Sequence, residues 1–199
     1  TFYNPSINPL NLKRISKRII GGEDAVEHSW PFLVSVRIKF NNKSEHQCGG
    51  TLITDQHILT AAHCILPYLN IVAKLKMNIS EMFSLIEVHV GINEHEKNPK
   101  DLTNDHVYKV ETFDFHENFN FNDWILVHDI SIMKLKRKVN INRPEVNVAC
   151  LPSLSMHTNR LIKEGEKVVA IGWGSYAEEY NYTAYVMNQL QQAVFTILD

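Results

Sequence analysis

The 199-residue sequence has few cysteines, no long apolar run and no long basic run. Three cysteines are an odd number, which leaves one without an internal partner. No apolar run approaches the roughly 18 residues that span a bilayer, so we expect no membrane insertion. The formal net charge of -2 and the lack of a basic patch argue against nucleic acid as a partner.

What the sequence does contain is enough apolar material for a core, because 44% of its residues are hydrophobic. Residues 1–18 differ from the rest. They carry Pro5, Pro9 and two dibasic pairs and have no apolar periodicity, so we interpret them as an exposed leader. The chain begins with Thr1 and has no charged-then-apolar start, which leaves open whether a signal peptide has been removed or the sequence is partial there.

From Ile19 onward the pattern is one of many short strands separated by turns that contain Asn, Pro or Gly. Such spacing predicts an all-β sandwich or barrel. Residues 65–80 show helix-like apolar spacing without a good cap, and we interpret them as a surface excursion. The predicted strands are Phe32–Phe40, Gln47–Ile53, Ile58–Leu59, Ser84–Val90, His106–Phe113, Ile130–Leu135, Val146–Leu151, Lys167–Ile171 and Gln189–Ile197.

The segment Thr60-Ala61-Ala62-His63-Cys64 places a histidine beside a cysteine. A disulfide between Cys48 and Cys64 would hold the imidazole in place, and closing a loop of about 15 residues contributes roughly 3 kcal/mol in the chain-entropy model. Zinc bound by Cys48, Cys64 and His63 is the alternative. It is disfavoured because there is no CxxC pair and no fourth ligand at a usable spacing.

A histidine works as a general base when a carboxylate fixes its tautomer and stabilises the cation that forms. Asp129, which precedes the alternating segment Ile130–Leu135, is the candidate carboxylate. An Asp before a strand is more often a turn or cap residue, so Asp129 alone does not establish a site.

Six short motifs that follow one another along the chain support the pairing of His63 with Asp129. The motifs resemble those of the chymotrypsin-like, or trypsin-family, serine peptidases, and the resemblance covers residues 19–199. They are Ile19-Ile20-Gly21-Gly22, Cys48-Gly49-Gly50-Thr51-Leu52-Ile53, Leu59-Thr60-Ala61-Ala62-His63-Cys64, Asp129-Ile130-Ser131-Ile132-Met133-Lys134-Leu135, Ala149-Cys150-Leu151-Pro152 and Gly172-Trp173-Gly174.

The resemblance implies a double β-barrel with the active site between the barrels. It places a complete first barrel at about residues 30–140 and a partial second barrel at about 145–199, after a propeptide at 1–18. His63 would be the general base and Asp129 its orienting partner. Cleavage between Arg18 and Ile19 by a trypsin-like protease would activate the zymogen. The resemblance further implies a secreted enzyme without a cofactor, with protein or peptide substrates and with protein inhibitors as further partners.

The family's nucleophile lies in a Gly-Asp-Ser-Gly-Gly-Pro segment, and residues 1–199 contain none. Ser131 and Ser175 lack the glycine-rich turn that presents a nucleophile with backbone donors. We therefore expect the sequence to be incomplete at its C-terminus and residues 1–199 to be inactive alone. A non-catalytic homologue that acts as a binding or regulatory protein is the alternative.

Three further features complete the sequence-based predictions. Cys150 is the odd cysteine, with a partner in a missing N-terminal portion or, alternatively, as a buried free thiol. Asn42, Asn78 and Asn181 fit the N-glycosylation pattern. Some relatives bind calcium after the glycine that corresponds to Gly91. Because Ile92 stands where an acidic ligand is expected, we predict no metal site despite the nearby Glu94 and Glu96.

Overall fold

The computed structural model describes residues 22–40, 43–65, 76, 78–95, 102–122, 125–153, 163–177 and 184–198. These residues form thirteen β-strands, one short 3-10 helix (Ala62–Cys64) and one α-helix, α1 (Ile79–Leu85). The strands are β1 (Glu23–Asp24), β2 (Leu33–Phe40), β3 (Lys43–Leu52), β4 (His57–Thr60), β5 (Ile86–Val90), β6 (Val107–Phe115), β7 (Asn120–Asn122), β8 (Ile125–Val127), β9 (Ser131–Leu135), β10 (Lys167–Gly172), β11 (Ser175–Ala177), β12 (Ala184–Val186) and β13 (Gln191–Thr196).

Six antiparallel strands close into a barrel in the order β2-β3-β4-β9-β6-β5. Because side chains alternate along a strand, every second residue of β2 points inward, and Val34, Val36 and Ile38 are buried there. Inward-facing residues of the other strands, such as Met133 and Leu135, complete one apolar cluster. The prediction of an all-β fold with a complete first barrel is confirmed.

Gly50 lies at a close approach inside this barrel. A methyl group there would lie 2.8 Å from Cγ2 of Ile58 and 3.1 Å from Cγ2 of Val34. Extra volume in a packed core costs about 1–3 kcal/mol, so we expect Gly50→Ala to lower the free energy of unfolding by that amount. Gly49 is the matched control because a methyl group there meets nothing within 4 Å. Equal effects of the two substitutions in urea titrations would contradict this account.

A second sheet has the strand order β1-β13-β10, and the pairs β7-β8 and β11-β12 form separate hairpins. The strands β10 and β13 pair along their whole length, from Lys167 opposite Thr196 to Gly172 opposite Gln191. A second buried cluster accompanies this sheet, and it consists of Ala25, Leu33, Ile92, Trp173 and Leu190. Both strands lie in the region where the sequence predicted a partial second barrel.

Two secondary-structure predictions were wrong. Ser84 and Leu85 belong to α1 rather than to a strand, and α1 does have a cap. The Asn78 side chain accepts a hydrogen bond from the Glu81 N–H, while the Glu81 carboxylate accepts one from the Asn78 N–H. The segment predicted as the strand Val146–Leu151 forms no ladder, because it makes only isolated main-chain hydrogen bonds such as Ala149 N–H to Leu52 O. No helix among the described residues is long and apolar enough to cross a membrane.

The outer face of β2, β3 and β5 carries a buried polar layer instead of the solvated face that strand alternation suggests. The side chains of Arg37, Glu87 and His89 are each less than a tenth exposed. Glu87 accepts hydrogen bonds from Ser44 Oγ at 2.9 Å and from Lys109 Nζ at 2.8 Å. Buried charge is tolerated there because it is paired and hydrogen-bonded.

His46 belongs to this layer and gives a pH-dependent prediction. Its Nδ1 lies 2.7 Å from Ser35 Oγ, and its ring stacks on His95. Burial, with the neighbouring charges of His95 and Arg37, lowers the pKa of His46 from 6.5 to about 4. The unfolded chain therefore binds the proton of this histidine more tightly than the folded chain does. Protonation lowers the free energy of unfolding as the pH falls from 6.5 towards 4, and above pH 6.5 this loss is absent.

We therefore expect the free energy of unfolding to fall between pH 6.5 and pH 4. The slope from this group is at most about 1.4 kcal/mol per pH unit. His46→Gln should flatten the slope without abolishing it, because burial lowers the pKa of His89 as well. Urea titrations at a series of pH values measure the slope, and an unchanged slope in the variant would refute the assignment to His46.

Candidate active site

The candidate site lies where β4 ends and β9 begins. These strands are antiparallel neighbours, and Thr60, the last residue of β4, pairs with Ser131, the first residue of β9. His63 follows Thr60 by three residues, in the 3-10 helix, and Asp129 precedes Ser131 by two. Register alone therefore brings residues 66 positions apart to the same edge of the barrel.

Three hydrogen bonds hold the Asp129 carboxylate, two from His63 and one from Ala62. The His63 ring contacts the carboxylate with Nδ1 2.6 Å from Oδ2, and the His63 main-chain N–H donates to Oδ1 at 2.9 Å. The Ala62 main-chain N–H is a further donor to the carboxylate. The side chains are 47% exposed for His63 and 21% exposed for Asp129. The carboxylate is thus fixed by the backbone as well as by the imidazole.

The charge state of Asp129 determines which tautomer His63 adopts. Burial alone would raise the pKa of Asp129, but the hydrogen bonds from the His63 ring and from the main-chain N–H groups of His63 and Ala62 outweigh it, so the pKa lies below its ordinary value. An ionised carboxylate only accepts hydrogen bonds, so Nδ1 of His63 carries the proton. In the neutral imidazole this tautomer leaves the lone pair on Nε2, which can then act as a base.

Two local features hold these side chains in position. A disulfide joins Cys64, the neighbour of His63, to Cys48 on β3. On the Asp129 side, His128 has a φ of 54°, and this left-handed residue turns the chain immediately before Asp129.

The disulfide also decides the zinc alternative for Cys48, Cys64 and His63. Their atoms lie within 4.8 Å of one another, but neither sulfur is a free thiolate, so the zinc alternative does not hold.

Ser131 and Ser175 were considered as alternative nucleophiles from sequence. Ser131 is buried, and its hydroxyl donates to the Thr60 carbonyl oxygen at 3.2 Å, so it supports the strand pair. Ser175 is the first residue of β11, paired with Val186. The Thr60 hydroxyl donates to the Gly49 carbonyl oxygen at 2.8 Å. Sequence reasoning did not identify these supporting bonds, nor the backbone donors to Asp129, because each bond has a main-chain group as donor or acceptor and such groups leave no trace in residue types.

Most of the remaining residues predicted as cleavage, glycosylation or calcium-loop positions lie outside the described residues. They are Arg18, Ile19, Asn42, Asn181 and Glu96, whereas Asn78 is exposed at the start of α1.

The structure also gives the environments of Cys150 and of the residues that follow Gly91. Cys150 is exposed and forms no disulfide within the described chain, so the buried-thiol alternative is wrong. Ile92 is buried in the second apolar cluster, and the Glu94 carboxylate lies 3.5 Å from the Asn188 amide nitrogen.

A closed antiparallel barrel with a carboxylate-oriented, solvent-accessible histidine at its edge defines the class of chymotrypsin-like proteins. The comparison with protein families agrees, because residues 19–199 match the model of the Trypsin family. The chain therefore belongs to the trypsin family.

Curated relatives include three proteins named Chymotrypsin-C. The one from Bos taurus is 32% identical over 187 residues, which is 94% of this chain and 60% of the relative. Those from Rattus norvegicus and Mus musculus are each 32% identical, over 84% and 80% of this chain and over 53% and 51% of their own lengths. The chain thus spans between half and two thirds of the length of these relatives.

Proposed function

We propose that this chain carries the general-base half of a serine endopeptidase. The observation that carries the proposal is the His63–Asp129 pair, with Nδ1 and Oδ2 2.6 Å apart and the carboxylate clamped by backbone N–H groups. A scaffold used only for binding has no need of this arrangement, which leaves a basic Nε2 at an accessible position. Family membership and the Chymotrypsin-C relatives support the same reaction class.

In the proposed mechanism, Nε2 of His63 removes the proton from a serine hydroxyl as the oxygen attacks the substrate carbonyl carbon. Asp129 stays ionised and stabilises the imidazolium through the Nδ1 hydrogen bond. The imidazolium then donates its proton to the leaving amine, and a second cycle with water releases the acyl product. No cofactor takes part. The substrates are proteins or peptides.

The serine belongs to a segment that residues 1–199 do not contain. No Gly-Asp-Ser-Gly-Gly-Pro segment is present, and the hydroxyl of Ser131 is buried against Thr60. We therefore expect the purified polypeptide of residues 1–199 to show no peptide hydrolysis above the uncatalysed rate. A fluorogenic peptide assay with a serine-peptidase inhibitor as control measures this. Inhibitor-sensitive cleavage by this polypeptide would contradict the proposal.

Activation and location follow the same proposal. Arg18 precedes Ile19 at the boundary between the leader and the globular part, so a trypsin-like protease is the proposed activator. Arg18→Gln should block activation in the complete protein, and amino-terminal sequencing after trypsin treatment would reveal whether Ile19 becomes the first residue. Secretion and control by protein inhibitors are further parts of the proposal.

Sequencing the transcript beyond the codon for Asp199 and assaying the encoded protein tests the function directly. A Gly-Asp-Ser-Gly-Gly-Pro continuation with peptidase activity supports the enzyme. A continuation in which another residue replaces the serine, without activity, supports the non-catalytic homologue instead.

A further inference from the structure

We propose that Asn78 carries an N-linked glycan and caps α1 at the same time. Asn78-Ile79-Ser80 fits the acceptor pattern Asn-x-Ser, and both Asn78 and Ser80 are exposed. A pattern of this kind arises often by chance, so the inference depends on which atoms of Asn78 the fold uses. It also rests on the proposed secretion, because N-glycans are added in the secretory pathway.

The fold uses the oxygen of the Asn78 carboxamide and leaves its nitrogen available. Oδ1 accepts the hydrogen bond from the Glu81 main-chain N–H at 2.8 Å. The second cap bond, from the Asn78 main-chain N–H to Glu81 Oε2 at 2.8 Å, does not involve the carboxamide at all. Among the hydrogen bonds of the described residues, none employs Nδ2 of Asn78, and Nδ2 is the atom that glycosylation modifies.

The chemistry of the transfer is compatible with this geometry. Nδ2 loses one hydrogen as a proton and forms a bond to the anomeric carbon of a sugar, while the bond from that carbon to the pyrophosphate of a lipid-linked oligosaccharide donor breaks. The modified amide keeps its carbonyl oxygen as an acceptor. The bond to the Glu81 N–H therefore survives the modification, and α1 retains its cap.

Strand directions place the junction of α1 and β5 relative to the end of β4, which leads to His63. The helix α1 leads directly into β5, which is antiparallel to β2, and β2 runs in the same direction as β4 because both are antiparallel to β3. The start of β5 and the end of β4 thus lie at the same end of the barrel. In the closed order of six strands, β5 and β4 are opposite one another. The C-terminal end of α1, which joins β5, therefore lies across this end of the barrel from the end of β4.

Peptide mapping of the complete encoded protein, expressed in mammalian cells with a supplied secretion signal and recovered from the medium, tests the proposal. Enzymatic release of N-glycans in heavy-oxygen water converts a formerly glycosylated Asn into labelled Asp. Trypsin then yields the peptide 77–97, which contains a single acceptor pattern. We expect labelled Asp at position 78 in most wild-type molecules. Unlabelled Asn78 in most molecules would overturn the proposal.

Matched variants separate the acceptor pattern from the cap. Ser80→Thr preserves the pattern and should keep the label, whereas Ser80→Ala removes it and should lose the label with the cap residue unchanged. Hydrogen exchange of the Glu81 amide tests coexistence, because the glycosylated wild type should protect this amide as well as the unglycosylated Ser80→Ala variant, which keeps Asn78. Protection lost only in the glycosylated form would overturn the shared use of Asn78.

Secretion of the complete protein without an added signal peptide is measured in a separate experiment. A chain that stays inside the cell would refute the proposed secretion, while the peptide from the signal-driven protein still decides whether Asn78 is an acceptor.

Discussion

His63→Ala in the complete, activated protein is expected to lower kcat for peptide hydrolysis about a million-fold, because removal of the general base has an effect of that order in a serine peptidase with the same catalytic groups. The geometric reason lies in the pair itself. Because Nδ1 of His63 is bound to Asp129 at 2.6 Å, Nε2 is the nitrogen of this ring that is left to take up a proton. Steady-state assays on matched preparations measure the loss.

Asp129→Asn is the companion variant, and its expected loss is smaller, about ten-thousand-fold. That figure is the known effect of this change in chymotrypsin-like enzymes. The Asn amide nitrogen would donate to Nδ1 and reverse the tautomer, so the proton would move to Nε2. Nitrogen NMR of the labelled imidazole should show this reversal. An unchanged tautomer with full activity would remove Asp129 from the proposed machinery.

Leu126→Ala provides the control for general damage to this edge. Leu126 lies on β8, is 40% exposed and makes no hydrogen bond to the pair through its side chain. Its effect on kcat should be far below that of either His63 or Asp129. A loss of kcat in Leu126→Ala as large as that in His63→Ala would indicate that any disturbance of this edge inactivates the protein.

The site was predictable from sequence because its parts lie in strongly patterned segments. Thr60 is the last residue of β4, and Ser131 is the first residue of the neighbouring strand β9. Once these strands pair, His63, which follows Thr60, and Asp129, which precedes Ser131, come close together. The motif order indicated which histidine and which aspartate to choose. Sequence patterns could not reveal that backbone N–H groups of Ala62 and His63 hold the carboxylate, because any residue type supplies such donors.

The points that the sequence did not predict have one local and one long-range cause. Asn78 was interpreted only as a glycosylation acceptor, so the Asn-x-x-Glu capping box that starts a seven-residue helix was missed. The burial of Glu87 and His89 on β5 was not predicted, and Glu87 is hydrogen-bonded there by Ser44 and Lys109 from neighbouring strands. Tertiary cover of this kind is decided by residues distant in sequence.

Trp173→Ala is expected to lower the free energy of unfolding by about 3–5 kcal/mol, the usual range for removing a large buried aromatic side chain. Trp173 is 1% exposed and packs in the second apolar cluster, while its ring meets that of His46 edge-on at 5.4 Å between centroids. Its indole N–H donates to the Asn93 carbonyl oxygen at 3.0 Å. The ring therefore connects the segment after β10 to the polar layer on the barrel's outer face.

Trp173→Phe is the matched variant, because it retains an aromatic ring but removes the indole N–H. Its cost should be smaller, about 0.5–1.5 kcal/mol for the lost hydrogen bond, because the Asn93 carbonyl oxygen keeps a second bond from the Leu190 main-chain N–H at 2.9 Å. Urea titrations of both variants separate packing from hydrogen bonding. If Trp173→Phe costs as much as Trp173→Ala, the hydrogen bond to Asn93 rather than the packed ring is the principal connection between the two parts of the fold.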